Sequence, residues 1–230
     1  MNTIQSRAIV LNRTDFGEAD RIITFLTFDH GKITLMARGV RRIKSKLAGG
    51  IELFSTSEIS YISGKGQIGT LISARLIKYY GTIVQNIDRV QLGYELIKII
   101  HRATEDEPES EYFEVLTEAF ASLDNATIST ELIRIWFQSQ LLLLSGHTPN
   151  LRTDSKGLKL ELDSKYSFDF DYVGFDMNEN GNYSPRHIKF LRLLFNGNNP
   201  KILSQIEGHK SLVNECTLIV QTMLQTYIRI

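Results

Sequence analysis

Three observations on the 230-residue chain predict an α+β fold built in two parts. Up to about residue 80, apolar and polar residues alternate in short runs broken by Gly and Asp, the pattern of half-buried strands. Beyond residue 81 the apolar spacing changes to three and four, the pattern of amphipathic helices. Between Gly146 and Ser184 the period of two returns briefly. The expected architecture is a five-stranded barrel over residues 1–80, then a mostly α-helical domain over 81–230 with a small β-hairpin insert at 152–183.

The first strand is read at residues 8–11 and the second at 21–28. Asp29-His30-Gly31 is a turn signal, because Gly accepts the left-handed backbone that a tight reversal demands. Residues 32–38 then return as the third strand. Alternation sets Ile33, Leu35 and Ala37 on one face and Lys32, Thr34, Met36 and Arg38 on the other. Residues 53–62 and 68–76 make a fourth and fifth strand around Ser63-Gly64-Lys65-Gly66. Five short strands in about eighty residues suit a small barrel, and the five-stranded oligonucleotide-binding (OB) barrel is its leading form.

In the second part, Ile87, Val90, Tyr94, Ile97 and His101 form a first helical stripe. Phe113, Leu116, Phe120 and Leu123 form another, with Pro108 and Ser110 as start signals. A third helix runs from near Ser129 through Trp136 to Leu144 and stops at Gly146. Ser184-Pro185, an N-cap followed by proline at the first helical position, opens a fourth that ends at Gly197. Leu212, Cys216, Ile219, Met223 and Tyr227 stripe the last. In the insert, residues 159–162 and 168–172 alternate as strands of a hairpin.

The charge is divided as the periodicity is. The whole chain holds 26 basic and 26 acidic residues. Residues 1–80 hold twelve basic and six acidic side chains, a net +6, and the remainder fourteen and twenty, a net −6. Such asymmetry points to a nucleic-acid-facing module joined to something else. Its focus is Arg38-Gly39-Val40-Arg41-Arg42-Ile43-Lys44-Ser45-Lys46, a loop at the barrel mouth with five cations and no acid. Cations on a loop can follow a phosphate backbone without reading bases. Of the aromatic residues in this half, Phe16, Tyr79 and Tyr80 are the ones not assigned to the core.

Other chemistry finds little support. Gly64-Lys65-Gly66-Gln67-Ile68-Gly69 matches the dinucleotide fingerprint by letter, but a strand follows where a helix N-terminus is needed, so the glycines are read as a hairpin turn. The histidines at 30, 101, 147, 187 and 209 form no metal-binding pair. Cys216, the only cysteine, lies on an apolar stripe and is read as an inert thiol; neither a disulfide nor a cysteine-rich zinc site is available. No G-x-S-x-G elbow occurs. The acids at 105, 106, 107, 109 and 111 are read as a solvated loop feeding a helix N-terminus. The opening segment lacks the apolar core of a secretory leader, and the apolar run at 141–144 is far short of a membrane span, so a cytoplasmic, non-enzymatic protein is expected.

The run Leu11-Asn12-Arg13-Thr14-Asp15-Phe16-Gly17-Glu18-Ala19-Asp20-Arg21-Ile22-Ile23-Thr24 resembles the opening of the RecO family of bacterial recombination mediators. So do His30-Gly31-Lys32-Ile33, Ala37-Arg38-Gly39-Val40-Arg41-Arg42 and Lys46-Leu47-Ala48-Gly49. Gly146-His147-Thr148-Pro149-Asn150-Leu151 and Ser184-Pro185 are similar to later segments of that family.

The resemblance implies an N-terminal OB barrel and a helical C-terminal domain. It further implies binding of single- and double-stranded DNA, annealing of complementary strands, and work with RecR and single-stranded-DNA-binding protein to load RecA, in a bacterial, nucleoid-associated setting. It assigns Lys32, Arg38, Arg41, Arg42 and Lys46 to DNA; composition and placement add Arg13, Lys44 and Lys65. Arg134, Arg186, Lys189 and Arg192 are candidates for contact with an acidic partner tail. Many members carry a four-cysteine zinc site after the third main helix. Here Asp154-Ser155-Lys156-Gly157 stands where its first cysteine pair would fall, so zinc is not expected. A general RNA-binding barrel and a protein adaptor without annealing activity are the competing expectations.

Overall fold

The structure, a computed structural model, describes residues 3–64, 66, 68–104, 110–161 and 163–228. Lys65, Pro108 and the acids at 105–107 and 109 lie outside the described residues. The chain divides into two compact units, one ending at Ala126 and one beginning at Thr127.

The first unit contains a closed five-stranded barrel of order β1-β2-β3-β5-β4, formed by β1 (Ile4–Phe16), β2 (Asp20–Thr27), β3 (Gly31–Ala37), β4 (Ser55–Ile62) and β5 (Ile68–Tyr79). All pairs are antiparallel except β3 with β5, whose parallel contact at Thr34–Ile68 to Met36–Thr70 closes the ring. The expected OB-like barrel is therefore present. Alternation drives it: Ala8, Val10, Ile23, Phe25, Leu35, Ala37, Ile59, Tyr61 and Leu71 point into one apolar core, plugged by Ile51. Ile9 and Leu26, on the opposite faces of β1 and β2, are buried as well.

Two bulges bend β5, because Ile72 and Ile77 have no partner residue on β4. Each bulge shifts the alternation by one residue, which leaves both isoleucines about half exposed. A strand, not a helix, follows Gly64 and Gly66, since Ile68 and Gly69 already belong to β5. A Cβ on Gly64 would fall 2.1 Å from the Ile68 carbonyl oxygen, so close packing of the two arms requires glycine there.

Two helices complete this unit, α1 (Ile87–Ala103) and α2 (Ser110–Asp124), with α1 packed on β1 and α2 on β2. Asn86 caps α1 by accepting from the Arg89 N–H. The buried face of α1 shares Ile97 with the expected stripe and otherwise differs from it. Ile87 and Tyr94 are 66% and 51% exposed, while Arg89, Leu92, Gly93, Leu96, Ile97, Ile99 and Ile100 are buried. The Arg89 guanidinium is buried because it donates to the carbonyls of Leu123 (2.6 Å) and Ala126 (3.2 Å), where α2 ends.

The second unit is built on α3 (Thr130–Leu144), capped by Ser129 and buried on almost every side from Leu132 to Leu142. Around it pack α4 (Pro185–Phe195), the single turn α5 (Pro200–Leu203) and α6 (His209–Tyr227). Ser184 and His187 form a capping box at the start of α4, and His187 Nε2 also meets the Glu215 carboxylate of α6.

The insert does contain a hairpin, in a different register from that expected: β6 (Tyr166–Asp169) pairs with β7 (Gly174–Met177). Residues 159–161 are not a strand. Asp169 ends β6 early, its carboxylate accepting from the N–H groups of Asp171 and Tyr172 in a side-chain turn. Tyr166, Phe168, Phe175 and Tyr183 pack edge-to-face to form the core of the insert. No helix among the described residues is long and apolar enough to cross a membrane.

Candidate nucleic-acid interface

The cationic loop leaves β3 at Arg38 and is folded as successive turns. Gly39, at φ +64°, begins the first; its N–H donates to the Asp20 carboxylate at 2.7 Å. Arg42 N–H closes that turn on the Gly39 carbonyl, and Ser45 N–H closes a second on the Arg42 carbonyl. Arg41 N–H reaches back to the Ala19 carbonyl at 2.9 Å, joining the loop to the β1–β2 turn. Val40 is buried in the barrel core and Leu47 packs against it, so the loop is held at both ends. Its cations are therefore presented from a defined base.

Arg38, Arg42, Lys44 and Lys46 are exposed, and among the described residues none of the four meets a carboxylate. Arg41 and Arg13 are placed differently. Arg41 lies 3.5 Å from Asp15 and donates to the Gly17 carbonyl. Arg13 reaches across to the Ile51 carbonyl and to Glu52 at 3.3 Å. Asp15 is the hub that sequence reasoning missed. It sits opposite Arg21 in the β1–β2 ladder, and its carboxylate accepts from Arg21 at 2.7 Å. That hydrogen bond, with the charges of Arg41, Arg21 and Arg13, holds its pKa below the ordinary carboxylate value. The pairing could have been counted from the turn at residues 17–19.

Lys32 stands apart from the loop. Its Nζ donates to the carbonyls of Thr104 and His101, at 2.5 and 3.1 Å, and so caps the C-terminal end of α1. Of the aromatic residues, Phe25, Phe54, Tyr61 and Tyr80 are buried, whereas Phe16 and Tyr79 are 52% and 45% exposed. Phe16, at the end of β1, is exposed and available for a base to stack on it. Toward the other end of β3, Ile4, His30, Thr34, Tyr61, Ser63 and Gly66 line a concavity of about 460 Å³.

The four cations considered for a protein partner lie in the second unit and are not equivalent. Arg192 donates to the Leu151 carbonyl at 2.8 Å, and Arg186 to that of Glu207 at 3.0 Å. Arg134 lines a crevice with Glu131, Gln138, Asn214 and Gln221 between α3 and α6, and Lys189 is exposed on α4.

The segment after Leu151 does not fit zinc. Asp154 Oδ1 accepts from the N–H groups of Lys156 and Leu158, and Asp176 accepts from the Ser155 N–H and hydroxyl. Asn150 and Tyr172 tie the same turn together. These donors already engage one oxygen of each carboxylate, and the segment supplies no thiol: Cys216 is buried on α6, where desolvation raises its pKa to about 12. No group of three or more His, Cys, Asp or Glu suited to a metal occurs among the described residues.

Residues 1–80 match the family model described as recombination protein O N terminal, and residues 85–230 the one described as recombination protein O C terminal. The chain is 36% identical over 149 residues to the DNA repair protein RecO of Dehalococcoides mccartyi strain ATCC BAA-2266, covering 64% of this chain and 58% of that protein. It is 28% identical over 151 residues to the RecO of Rubrobacter xylanophilus (66% and 60%), and 32% over 157 residues to that of Streptomyces coelicolor (65% and 63%). The matched stretch thus covers less than two thirds of each of these relatives.

Proposed function

The chain belongs to the recombination protein O family, and from that membership we propose that it is a DNA-binding recombination mediator that works without catalysis. The observation that carries the proposal is the set of four exposed cations, Arg38, Arg42, Lys44 and Lys46, without a carboxylate partner among the described residues, on a loop fixed to the barrel. Cations in that state bind phosphates by releasing condensed counterions, with no internal pair to break first. Arg41 and Arg13 extend the cationic surface, partly neutralised by Asp15 and Glu52.

On this reading the barrel holds one strand by its backbone and screens the repulsion that keeps a complementary strand away, which favours annealing. The barrel module of residues 1–80 supplies that activity, and the 81–230 region supplies docking surfaces for RecR and single-stranded-DNA-binding protein, so that RecA is loaded on coated DNA in the bacterial cytoplasm. Lys189, exposed on α4, is the cation of the second unit assigned to an acidic tail; Arg186 and Arg192 act first within the fold. The test is annealing of complementary oligonucleotides followed by strand-specific fluorescence. The protein should accelerate annealing without ATP, and a variant carrying Arg42→Glu and Lys44→Glu should not. Equal rates for the two would reject the proposal.

A further inference from the structure

We propose that Ile43 is a wedge that enters between neighbouring bases of a DNA strand whose phosphates the surrounding cations hold; this rests on the nucleic-acid reading of the loop. Between Arg38 and Leu47 the chain carries three large apolar side chains, and they are treated differently. Val40 is 4% exposed in the barrel core, and Leu47 packs against the same cluster. Ile43 is 104% exposed, so its side chain stands wholly in solvent.

Its position follows from the backbone. The turn closed by Ser45 N–H on the Arg42 carbonyl, at 2.9 Å, puts Ile43 at the second residue, the outermost part of the loop. The preceding turn and the Arg41–Ala19 hydrogen bond fix the base from which it projects. A lone exposed aliphatic residue is ordinary on a protein surface. Ile43 differs because Arg41, Arg42, Lys44 and Lys46 flank it in sequence, are all exposed, and no acid interrupts them.

The cations draw phosphates alongside the tip. The apolar surface a nucleic acid then offers to Ile43 is the face of its bases. Aliphatic side chains pushed between base steps unstack them. A strand held by its phosphates and locally unstacked presents base edges for pairing with a complement. Because insertion releases no counterions, the wedge is separable from electrostatics: it alters affinity and base stacking but not the salt slope.

The experiment uses the full chain and a single-stranded oligodeoxynucleotide carrying a fluorescent purine analogue that stacking quenches. Binding of the unaltered protein should raise its emission. Ile43→Ser should lose most of that rise with the salt slope and melting temperature unchanged, and Ile43→Leu should retain it. An equal rise for Ile43→Ser and the unaltered protein would overturn the wedge while leaving the cations' role intact. An unchanged salt slope in Arg42→Glu with Lys44→Glu would overturn the reading of the loop, and the wedge with it.

Discussion

The ammonium of Lys32, on β3, lies 2.5 Å from the carbonyl oxygen of Thr104 at the end of α1, 72 residues further along the chain. It donates to the His101 carbonyl as well, so one cation closes two orphan acceptors of the helix terminus. Hydrogen bonds to a charged group contribute about 1.5–3 kcal/mol each when their partners are shielded, and Lys32 is half-buried. Lys32→Met should therefore lower unfolding stability by about 1–3 kcal/mol in urea titration. Its DNA salt slope should stay at the unaltered value, in contrast to the loop cations.

Phe54 joins the barrel to α1 and α2. At φ +55° it is strained for a residue with a side chain, and its ring packs edge-to-face on Tyr94 and Phe120, at 5.3 and 5.7 Å between centroids. A Cβ at Gly93 would lie 2.5 Å from Phe54 Cε1. Since the ring is hemmed in on both sides, Gly93→Ala should destabilise by about 1–3 kcal/mol despite the better helix propensity of alanine. Urea unfolding with an unchanged m-value would verify it.

His101 predicts a pH dependence. Burial, then the charges of Lys32 and Arg102, push its imidazole below the ordinary value of 6.5, and its buried Nδ1 has no hydrogen-bond partner among the described residues. The unfolded chain therefore takes up this proton before the folded one does. The associated stability is fully present above about pH 6.5 and declines as pH falls from there toward the lower folded-state value. Thermal melts from pH 7.5 to 5 should show the decline, and His101→Gln should reduce it.

The turn at Asp154 should be independent of metal. Chelator should leave the melting temperature unchanged, whereas Asp154→Ala removes acceptors for the Lys156 and Leu158 amides and should speed hydrogen exchange there. Cys216, with its thiol pushed up to about 12, should react with thiol reagents at pH 8 only as the unit unfolds.

What the sequence revealed depended on whether a signal was local. The hairpin of β2 and β3 and the exposed loop after Ala37 follow from alternation and turn residues that lie side by side. The helix start near Ser129 and the Ser184-Pro185 helix start are equally local. The buried face of α1 is legible only in part, at Ile97, because it also contains Arg89 and Gly93, which read as solvent-facing or neutral. Arg89 is buried by carbonyls 34 and 37 residues away, and Gly93 by the ring of Phe54. The roles of Lys32 and Arg13 likewise depend on carbonyls 72 and 38 residues away. The insert hairpin moved because Asp169 forms a turn with its own side chain, which competes with the alternation running through residues 168–172.

The central claim is that the loop's exposed cations hold DNA through its phosphates. Affinity for single-stranded DNA should be measured from low to physiological salt for the unaltered protein and for a variant with Arg38, Arg42, Lys44 and Lys46 replaced by Gln. Each lost phosphate contact should reduce the slope of log affinity against log salt by roughly 0.7 for a single strand. The account predicts a drop of about two to three units. A variant that keeps both the slope and the affinity of the unaltered protein would contradict it.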